Sequence, residues 1–302
     1  MDPVTSLSRP PHPSRSQQQL PGHLKAPRLI ATDLDGTLLR DDRTVSARTI
    51  AALAAAEAAG IEVFFVTGRP ARWMHVVATA PLDGDPARRS FLTNGIAICA
   101  NGAAVYDLHR DLLLEAFPLA EPDARAVVAA VRDAVPGTTF AIERTGGFHY
   151  EPEYAAAWAE ADSLVGPIEE LLASDADQPV LKLLARHDSA DPDAFLAAAR
   201  GVAGQHAEFT RSSPSALLEI SGVGVSKAST LARCCAERGI TADEVIAFGD
   251  MPNDLAMLSW AGTSYAVANA HPDVLAATTH RTSANEDDGV AHVIEAILSD
   301  YA

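Results

Sequence analysis

The sequence predicts an α/β protein built on a parallel sheet, with an α+β unit inserted into it, and two patterns carry this prediction. Short apolar runs alternate with helical stretches from residue 28 to 107, and the alternation returns after residue 213. The segment between them has a different order, in which a helix is followed by a hairpin and further strands. We therefore expect a discontinuous core of residues 25–107 and 213–302, and an inserted cap of residues 108–212.

The elements of the core are bounded by recognisable residues. The run RLIAT predicts the first strand, and Ser46 and Gly60 are the expected N-cap and C-terminal stop of the helix in SARTIAALAAAEAAG. IEVFFVTG predicts the next strand. Farther along the chain, Ser226 and Gly239 bound a helix, EVIAFGD predicts a strand, and Pro252 begins the helix in PNDLAMLSWAG. This repetition favours a parallel sheet that helices cover on both faces.

The insert has the pattern of an antiparallel sheet packed on helices. EPDARAVVAAVRDAV and PDAFLAAAR predict helices, and PVLKLLARH predicts a strand. TTFAIERTGGFHYE predicts a hairpin that turns at Gly146 and Gly147. Two more strands are expected near AEFT and ALLEIS. These elements predict a separate α+β layer rather than a continuation of the parallel sheet.

Composition limits the classes of function. The 302 residues are 48% hydrophobic, which allows one large core or two smaller ones, and the usual size of domains favours two. The 23 Lys and Arg residues against 40 Asp and Glu give a net charge of −17, which argues against general binding to nucleic acid or anionic membranes. An anionic substrate must then be held by a local site.

Cysteine content and the N-terminal segment indicate a cytoplasmic protein. Cys99, Cys234 and Cys235 are odd in number and lack metal-ligand spacing, so we expect reduced thiols. Residues 1–24 are rich in Pro, Ser and Gln and contain no hydrophobic signal core, so we expect a disordered tail. For the assembly we expect a monomer or a homodimer.

Polar clusters that follow apolar runs or open helices predict the position of a site. Because the carboxyl ends of parallel strands lie along one edge of a sheet, where ligands bind, these clusters are expected to meet there. Two clusters could coincide by chance, whereas four imply a shared site. The four clusters are Asp33-Leu34-Asp35-Gly36-Thr37, Thr67-Gly68-Arg69, Ser226-Lys227, and Gly249-Asp250 with Asn253-Asp254.

The residue types in these clusters suit phosphoryl transfer. Asp33 and Asp250, brought together, would raise one another's pKa unless a cation lay between them, and oxygen ligands with water positions suit Mg²⁺. Lys227 lies in the first turn of its helix, where the macrodipole disfavours a cation, so it more plausibly serves an anion. Thr67 offers a hydroxyl donor and Gly68 allows close backbone approach. One carboxylate can attack phosphorus while another moves the proton.

The motifs DLDGT, TGR, NGA, VSK and GDMPND closely resemble those of the haloacid dehalogenase superfamily, and specifically its Cof-like (class IIB) phosphatases. The resemblance extends from residue 28 to the C-terminus. It implies a Rossmann-like catalytic core, a cap that sets substrate specificity, and a Mg²⁺-dependent phosphatase that hydrolyses phosphate monoesters of small metabolites, such as sugar phosphates, through an aspartyl-phosphate.

The resemblance also implies roles for individual residues. Asp33 would be the nucleophile and Asp35 the general acid and base, with the Asp35 carbonyl as a metal ligand. Asp33 and Asp250 would be the other metal ligands, and Asp254 would support the metal site or Lys227. Lys227 would be catalytic together with Asp33 and Asp35. The residues expected around the phosphoryl group are Leu34, Thr67, Gly68, Lys227 and Asn253.

Two other functions stay open at this point. A phosphomutase or a dedicated sugar-phosphate enzyme could use the same scaffold, because eukaryotic phosphomannomutases resemble this cap class. A regulatory binding protein without turnover is a weaker alternative, since every expected catalytic position is occupied. Polar cap residues are candidate substrate contacts, although a solvated strand face or hairpin rim explains them more economically. They are Glu143, Arg144, His149, Tyr150, Lys182 and Arg211.

Overall fold

The computed structural model describes residues 27–78, 95–154, 161–173, 178–278 and 280–300. The expected tail, residues 1–24, lies outside the described residues. Within the described ranges, the chain forms two sheets, one of eight strands and one of five. The α/β prediction is confirmed.

The larger sheet has the order β13-β12-β11-β1-β2-β3-β4-β5. The first six of these strands pair in parallel, whereas β4 and β5 form an antiparallel hairpin at one edge. The expected parallel sheet is therefore confirmed for six strands and extended by two of the opposite direction. The strands are β1 (Leu29–Thr32), β2 (Glu62–Val66), β3 (Ile96–Cys99), β4 (Ala104–Asp107), β5 (Leu112–Ala116), β11 (Val245–Gly249), β12 (Thr263–Ala266) and β13 (His280–Arg281).

Helices cover both faces of this sheet. One face packs with α1 and α9 in one apolar cluster, and the other packs with α6 and α7 in a second. Ser46 accepts a hydrogen bond from the backbone N–H of Thr49, and Ser226 accepts one from Ser229, which confirms both as N-caps. The helices are α1 (Ala47–Ala58), α2 (His75–Ala78), α6 (Lys227–Glu237), α7 (Leu255–Trp260), α8 (Pro272–Ala277) and α9 (Gly289–Asp300).

The smaller sheet has the order β7-β6-β8-β10-β9, and all its pairings are antiparallel. Its strands are β6 (Thr139–Arg144), β7 (Phe148–Tyr150), β8 (Val180–Arg186), β9 (Glu208–Thr210) and β10 (Leu217–Ser221). Side chains from one face, such as Ile142 and Leu183, pack in a cluster with α3 (Glu121–Ala134), α4 (Ile168–Ala173) and α5 (Pro192–Ala203). The opposite face is turned toward the larger sheet.

Sheet membership differs from the predicted limits of the cap. β5 lies inside the range 108–212 but pairs with β4 of the larger sheet, and β10 lies after residue 212 but pairs with β8 of the smaller one. The sequence patterns do not identify the partner of a strand, because pairing depends on contacts outside the segment. The division into a catalytic core and a cap remains a prediction.

Two connections join the sheets, and they lie side by side. The first follows β5 at residues 117–120, and the second follows β10 at residues 222–226. A Cβ atom added to Gly222 would lie 3.1 Å from the carbonyl oxygen of Pro118 and 3.6 Å from Cα of Leu119. The chain therefore leaves the larger sheet and returns to it at nearly the same point.

All three cysteines are buried, and none of them forms a disulfide in the structure. Cys99 ends β3, and Cys234 and Cys235 lie on α6. Among the residues that the structure describes, no helix combines the length and apolar character needed to cross a membrane.

Candidate active site

Asp33 and Lys227 form the centre of the site. Asp33 directly follows β1 and Asp250 directly follows β11, and because these strands are parallel neighbours both carboxylates lie at one edge. Lys227, at the start of α6, is only 2% exposed. Its Nζ donates to Oδ1 of Asp33 at 2.6 Å and to Oδ1 of Asp254 at 2.7 Å. The helix start thus brings the lysine between two buried carboxylates.

Asp254 and Thr37 hold the loops that carry these carboxylates. Oδ2 of Asp254 accepts the backbone N–H groups of Asp250 and Met251, both at 3.0 Å. Both oxygens of Asp254 are therefore used inside the protein. Thr37 donates to Oδ1 of Asp250 at 2.8 Å. These contacts fix the side chain of Asp250 beside Asp33.

Three carboxylates converge here against one buried lysine. Asp33, Asp250 and Asp254 each offer an oxygen within 4.8 Å of the others. Burial raises the pKa of Asp33 well above its usual range; Asp254 and Asp250 add to this effect and Lys227 opposes it. Burial, followed by the charge of Asp254, raises the pKa of Asp250 to about 7. A divalent cation would relieve this repulsion, so the donor set fits one.

Gly36 makes room for the side chain of Asp250. Its φ is +77°, and an added Cβ would lie 2.5 Å from Oδ2 of Asp250. Leu34, in the same turn, is fully buried, and its carbonyl accepts the N–H groups of Thr37, Leu38 and Leu39 at 2.8 to 3.2 Å. The DLDGT segment is therefore a tight turn closed around the end of β1, and the Gly-Thr part of the motif is needed for that turn.

Thr67 and Gly68 follow β2 and face the same space. Oγ1 of Thr67 accepts the N–H of Arg69 at 3.1 Å, which leaves its own hydroxyl proton to donate. A Cβ on Gly68 would lie 3.2 Å from Oε2 of Glu219 and 3.3 Å from Oδ1 of Asn101. A larger residue at this position would push on both side chains.

Asp35 has a different environment from Asp33. Its side chain is 56% exposed and accepts two hydrogen bonds from Arg69, from Nε at 2.6 Å and from Nη2 at 2.5 Å. This ion pair, together with the neighbouring charge of Asp33, raises the pKa of Arg69. The sequence motifs include Arg69 in TGR but do not predict that it contacts Asp35.

A cavity of about 610 Å³ lies between the two sheets. The larger sheet contributes Asp33, Asp35 and Thr67 to its lining, and the smaller sheet and its loops contribute Phe148, Tyr154 and Leu217. Rings of Phe148 and Tyr154 are in edge contact, with centroids 6.1 Å apart. The smaller sheet also contributes Lys182 and Glu219, so both walls carry charged and apolar side chains. Asn253 also lines the cavity, and its buried Oδ1 atom has no hydrogen-bond partner among the described residues.

The six cap candidates separate into two groups. Glu143 and Lys182 line the cavity. The side chains of the other four have partners within the smaller sheet and its surroundings. Arg144 donates to the carbonyls of Leu171, Leu172 and Gln178, His149 accepts from the N–H of Leu164, Tyr150 stacks on Phe148, and Arg211 pairs with Asp193. A solvated strand face is the wrong explanation for Arg144 and Arg211, which are buried.

The sequence interpretation missed Glu219 and gave no role to Asn101. Glu219 is 5% exposed and accepts from Nδ2 of Asn101 at 2.7 Å. A signal was present: Glu219 interrupts the apolar run ALLEI, just as Asp33 ends the apolar run LIAT. A charge inside a buried strand needs a partner, and the partner of Glu219 is supplied from another part of the chain.

The family is decided by a match between residues 30–294 and the model of the haloacid dehalogenase-like hydrolases. The chain belongs to this family. Among curated relatives, the 5-amino-6-(5-phospho-D-ribitylamino)uracil phosphatase YitU of Bacillus subtilis is 28% identical and covers 90% of this chain and 98% of its own. Pyridoxal phosphate phosphatase YbhA of Escherichia coli is also 28% identical and covers 88% of this chain and 97% of its own.

Solved structures show the same haloacid dehalogenase fold. A phosphatase of this superfamily from Bacteroides thetaiotaomicron has a TM-score of 0.73 and 22% identity, and the match covers 93% of this chain and 99% of that one. A sugar phosphatase of subclass IIB has a TM-score of 0.70 and 21% identity, with 89% and 98% covered. The expected membership of the superfamily is confirmed.

Proposed function

We propose that this hydrolase is a phosphatase that acts on phosphate monoesters of small metabolites. The observation that carries the proposal is the contact between Lys227 and Asp33, beside Asp250, where Asp33 lines a cavity of about 610 Å³. A buried carboxylate next to a cation can act as a nucleophile toward an anionic phosphoryl group. Relatives that cover nearly the whole chain are named as phosphatases of pyridoxal phosphate and of a ribitylaminouracil phosphate.

In the first step, Asp33 attacks phosphorus through Oδ2, since its Oδ1 is held by Lys227. A bond forms between Oδ2 and phosphorus while the bond from phosphorus to the leaving oxygen breaks. Asp35, which takes a proton from solvent once its pair with Arg69 has opened, gives that proton to the leaving oxygen, and the alcohol departs. In the second step, water attacks the aspartyl-phosphate and Asp35 takes the proton. The bond to Asp33 then breaks, and inorganic phosphate leaves.

The ion pair between Asp35 and Arg69 bears on this sequence. Asp35 lines the cavity but both of its oxygens accept from Arg69. For Asp35 to reach the leaving oxygen as an acid, at least one of these hydrogen bonds must open. The exposure of Asp35 supports such a movement, because its side chain is not confined by packing.

The phosphoryl oxygens would be received by donors that converge on Asp33. Lys227 supplies positive charge and Thr67 supplies a hydroxyl proton. The backbone at Leu34 and Gly68 and the amide of Asn253 complete the expected set. Asn253 donates one N–H to Oδ1 of Asn101 at 3.2 Å and has a second N–H for a ligand.

Asp33, Asp250 and the carbonyl of Asp35 are the groups that would hold Mg²⁺. The raised pKa values of the two side chains support this assignment, because they reflect first the burial of these carboxylates and then the negative charge of their neighbours. When bound, Mg²⁺ supplies charge that keeps Asp33 ionised and neutralises the phosphoryl oxygens. Asp254 would act indirectly, through Lys227 and the loop at Asp250.

Among metabolites, we propose sugar phosphates and compounds of similar size, such as pyridoxal phosphate, as substrates. The position of the cavity between the two sheets and its volume of about 610 Å³ support compact molecules over polymers. The three free thiols support a cytoplasmic location.

The test is hydrolysis of a panel of metabolite phosphates with Mg²⁺, ranked by kcat/KM, with release of inorganic phosphate as the readout. The panel should contain hexose phosphates, pyridoxal phosphate and a small aryl phosphate. Release of phosphate from several members is expected. Isomerised product without free phosphate would indicate a phosphomutase, and no turnover of any member would contradict the proposal.

A further inference from the structure

The cap face that lines the cavity carries a buried ion pair. Lys182 of β8 and Glu219 of β10 lie on neighbouring antiparallel strands, and their side chains are 8% and 6% exposed. Nζ of Lys182 donates to Oε2 of Glu219 at 2.7 Å. Both oxygens of Glu219 are used inside the protein, because Ser212 donates to Oε1. A carboxylate satisfied in this way is not free to bind a leaving group.

The pair also contacts the core directly. Nζ of Lys182 donates to the carbonyl of Gly68 at 2.9 Å, and Oε2 of Glu219 accepts from Asn101. Both core residues follow strands of the larger sheet, at the edge where Asp33 lies. Leu181, next to Lys182, packs in the apolar cluster of the core rather than in that of the cap. These contacts seat the cap on the loops that receive the phosphoryl group.

Asn101 connects Glu219 to the loops that carry Thr67 and Asn253. Its backbone is left-handed, with φ of +57°, and its N–H donates to the carbonyl of Thr67 at 3.0 Å. Its side chain bonds to Glu219 through Nδ2 and to Asn253 through Oδ1. With the amide oriented by Glu219, Oδ1 is the atom presented to Asn253. The hydrogen bonds are therefore continuous from Glu219 to the amide beside the phosphoryl site.

The charges show that the pair is stable in its ionised form. Burial acts to raise the pKa of Glu219, but the charge and hydrogen bond of Lys182 outweigh it, with help from Ser212 and Asn101. The net result is a lowered pKa. Glu219 therefore stays an acceptor toward Asn101 at neutral pH.

We propose that Lys182 and Glu219 are positioning residues for phosphoryl transfer: they hold Gly68 and Asn101, and through Asn101 they hold the amide of Asn253. This inference rests on the proposed function, because it assumes that a phosphoryl group binds beside Asp33. Its consequence is that the cap contributes to the rate with every substrate. A cap that only selects the leaving group would not do so.

The variants that test this are Glu219→Gln, Lys182→Met and the double variant. Each is assayed with phenyl phosphate and with pyridoxal phosphate, and inorganic phosphate binding is measured by calorimetry in the presence of Mg²⁺. We expect kcat to fall about tenfold or more for both substrates by the same factor, and phosphate binding to weaken. The double variant should be no worse than the more severe single one, since the two residues act as a unit.

Two controls separate positioning from general damage. Arg125→Met removes an exposed cap ion pair, with Glu121 at 2.8 Å, and should leave kcat within twofold. The Kd for Mg²⁺ should also stay within twofold in Glu219→Gln, because Asp33 and Asp250 are not part of this hydrogen-bonded path. If Glu219→Gln does not fold, as judged by circular dichroism, Lys182→Met decides by the same criteria.

The outcomes distinguish the two proposals. Wild-type protein that neither hydrolyses phosphate esters nor binds phosphate would overturn the proposed function itself. If the wild-type protein is active and both single variants keep its kcat for phenyl phosphate, only the positioning role is overturned. Loss confined to pyridoxal phosphate would assign the pair to selectivity instead, and additive losses would show that the two residues act separately.

Discussion

The two walls of the cavity are built in different ways. On the core side, functional groups come from loops and helix starts. Asp33 and Asp250 are brought together by the parallel direction of β1 and β11, and the start of α6 brings Lys227 to Asp33. On the cap side, functional groups come from the middle of strands, where alternate residues share one face. Lys182 and Leu184 of β8 line the cavity, while Leu183 between them packs on the cap helices.

The two walls are therefore expected to recognise different parts of the substrate. The strand ends concentrate charge in a small volume and suit one reacting group, the phosphoryl. The strand face offers a broad surface on which Phe148, Tyr154 and Leu217 supply apolar area. We therefore expect substitutions on the core wall to change the rate with all substrates, and substitutions of the apolar cap wall to change the order of preference. Lys182 and Glu219 are the exception that we propose.

The largest effect should come from Asp33→Asn. The amide has the shape of the carboxylate but is a far poorer nucleophile, so kcat should fall by about 10⁴-fold or more. Activity on phenyl phosphate and a thermal unfolding curve are the measurements. Asp133→Asn, an exposed position on α3, is the matched control and should keep full activity. Substantial residual turnover in a pure sample would mean that another group attacks phosphorus.

Removal of the metal should silence the enzyme almost as completely. EDTA treatment is expected to abolish turnover and Mg²⁺ to restore it, because the proposed site at Asp33 and Asp250 would use the cation to offset the charge of the two carboxylates. Ca²⁺ should support little activity, since its larger and looser coordination misplaces the reacting groups. Steady-state assays after exhaustive chelation check this, and full activity at that point would refute metal dependence.

A smaller loss is expected from Asp35→Asn. Without a proton donor for the leaving oxygen and a base for water, kcat should fall by about 10²–10⁴-fold. Nitrophenyl phosphate, whose leaving group needs little protonation, should be affected less than an alkyl phosphate in the first step. Asp42→Asn, in the exposed turn that follows, serves as the control. Near-wild-type activity with an alkyl phosphate would mean that Asp35 is not the acid.

The stabilisation by Mg²⁺ should depend on pH. The pKa of Asp250 is raised to about 7 in the folded protein from 3.8, so without metal its contribution to stability is present at low pH and is lost as pH rises through about 7. A bound cation would offset the charge of ionised Asp250 and so prevent this loss of stability. The increase in Tm on adding Mg²⁺ should therefore grow between pH 5.5 and 8, by roughly 5 °C. A constant increment across this range would contradict the coupling.

The smallest effect should come from the cap wall. Tyr154→Phe keeps the ring and removes one hydroxyl group from the cavity lining. The ratio of kcat/KM between pyridoxal phosphate and a hexose phosphate should change by about two- to tenfold, whereas kcat with phenyl phosphate should stay within twofold. An equal loss with all three substrates would place Tyr154 with the positioning residues.

The residues on the core side of the cavity could be predicted because the sequence pattern that marks each of them lies in its own segment. Asp33, Thr67, Lys227 and Asp250 each follow or open an element whose pattern is recognisable, and parallel strands bring such positions together. Their roles remain predictions. The mutual arrangement of Asp35 and Arg69 could not be predicted, because it depends on side-chain rotamers across two loops.

The residues on the cap side are harder to predict because their contacts join positions that are far apart in the sequence. Glu219 contacts Lys182, 37 positions earlier, and Asn101, 118 positions earlier. Only the register of β8 and β10, together with the seating of the cap, brings them into contact. The pairing of β5 with β4 could not be predicted for the same reason, because it depends on long-range contact.

The two connections between the sheets lie side by side at Gly222 and Pro118, and this bears on how the inserted segment could evolve. About a hundred residues lie between these two connections. Because the segment begins and ends at adjacent positions, its insertion into the core is equivalent to the closure of a loop. The entropy of closing a loop rises only with the logarithm of its length, by about 0.6 kcal/mol for each doubling. Segments of very different size could therefore have been exchanged at this point while the same eight-stranded sheet was kept.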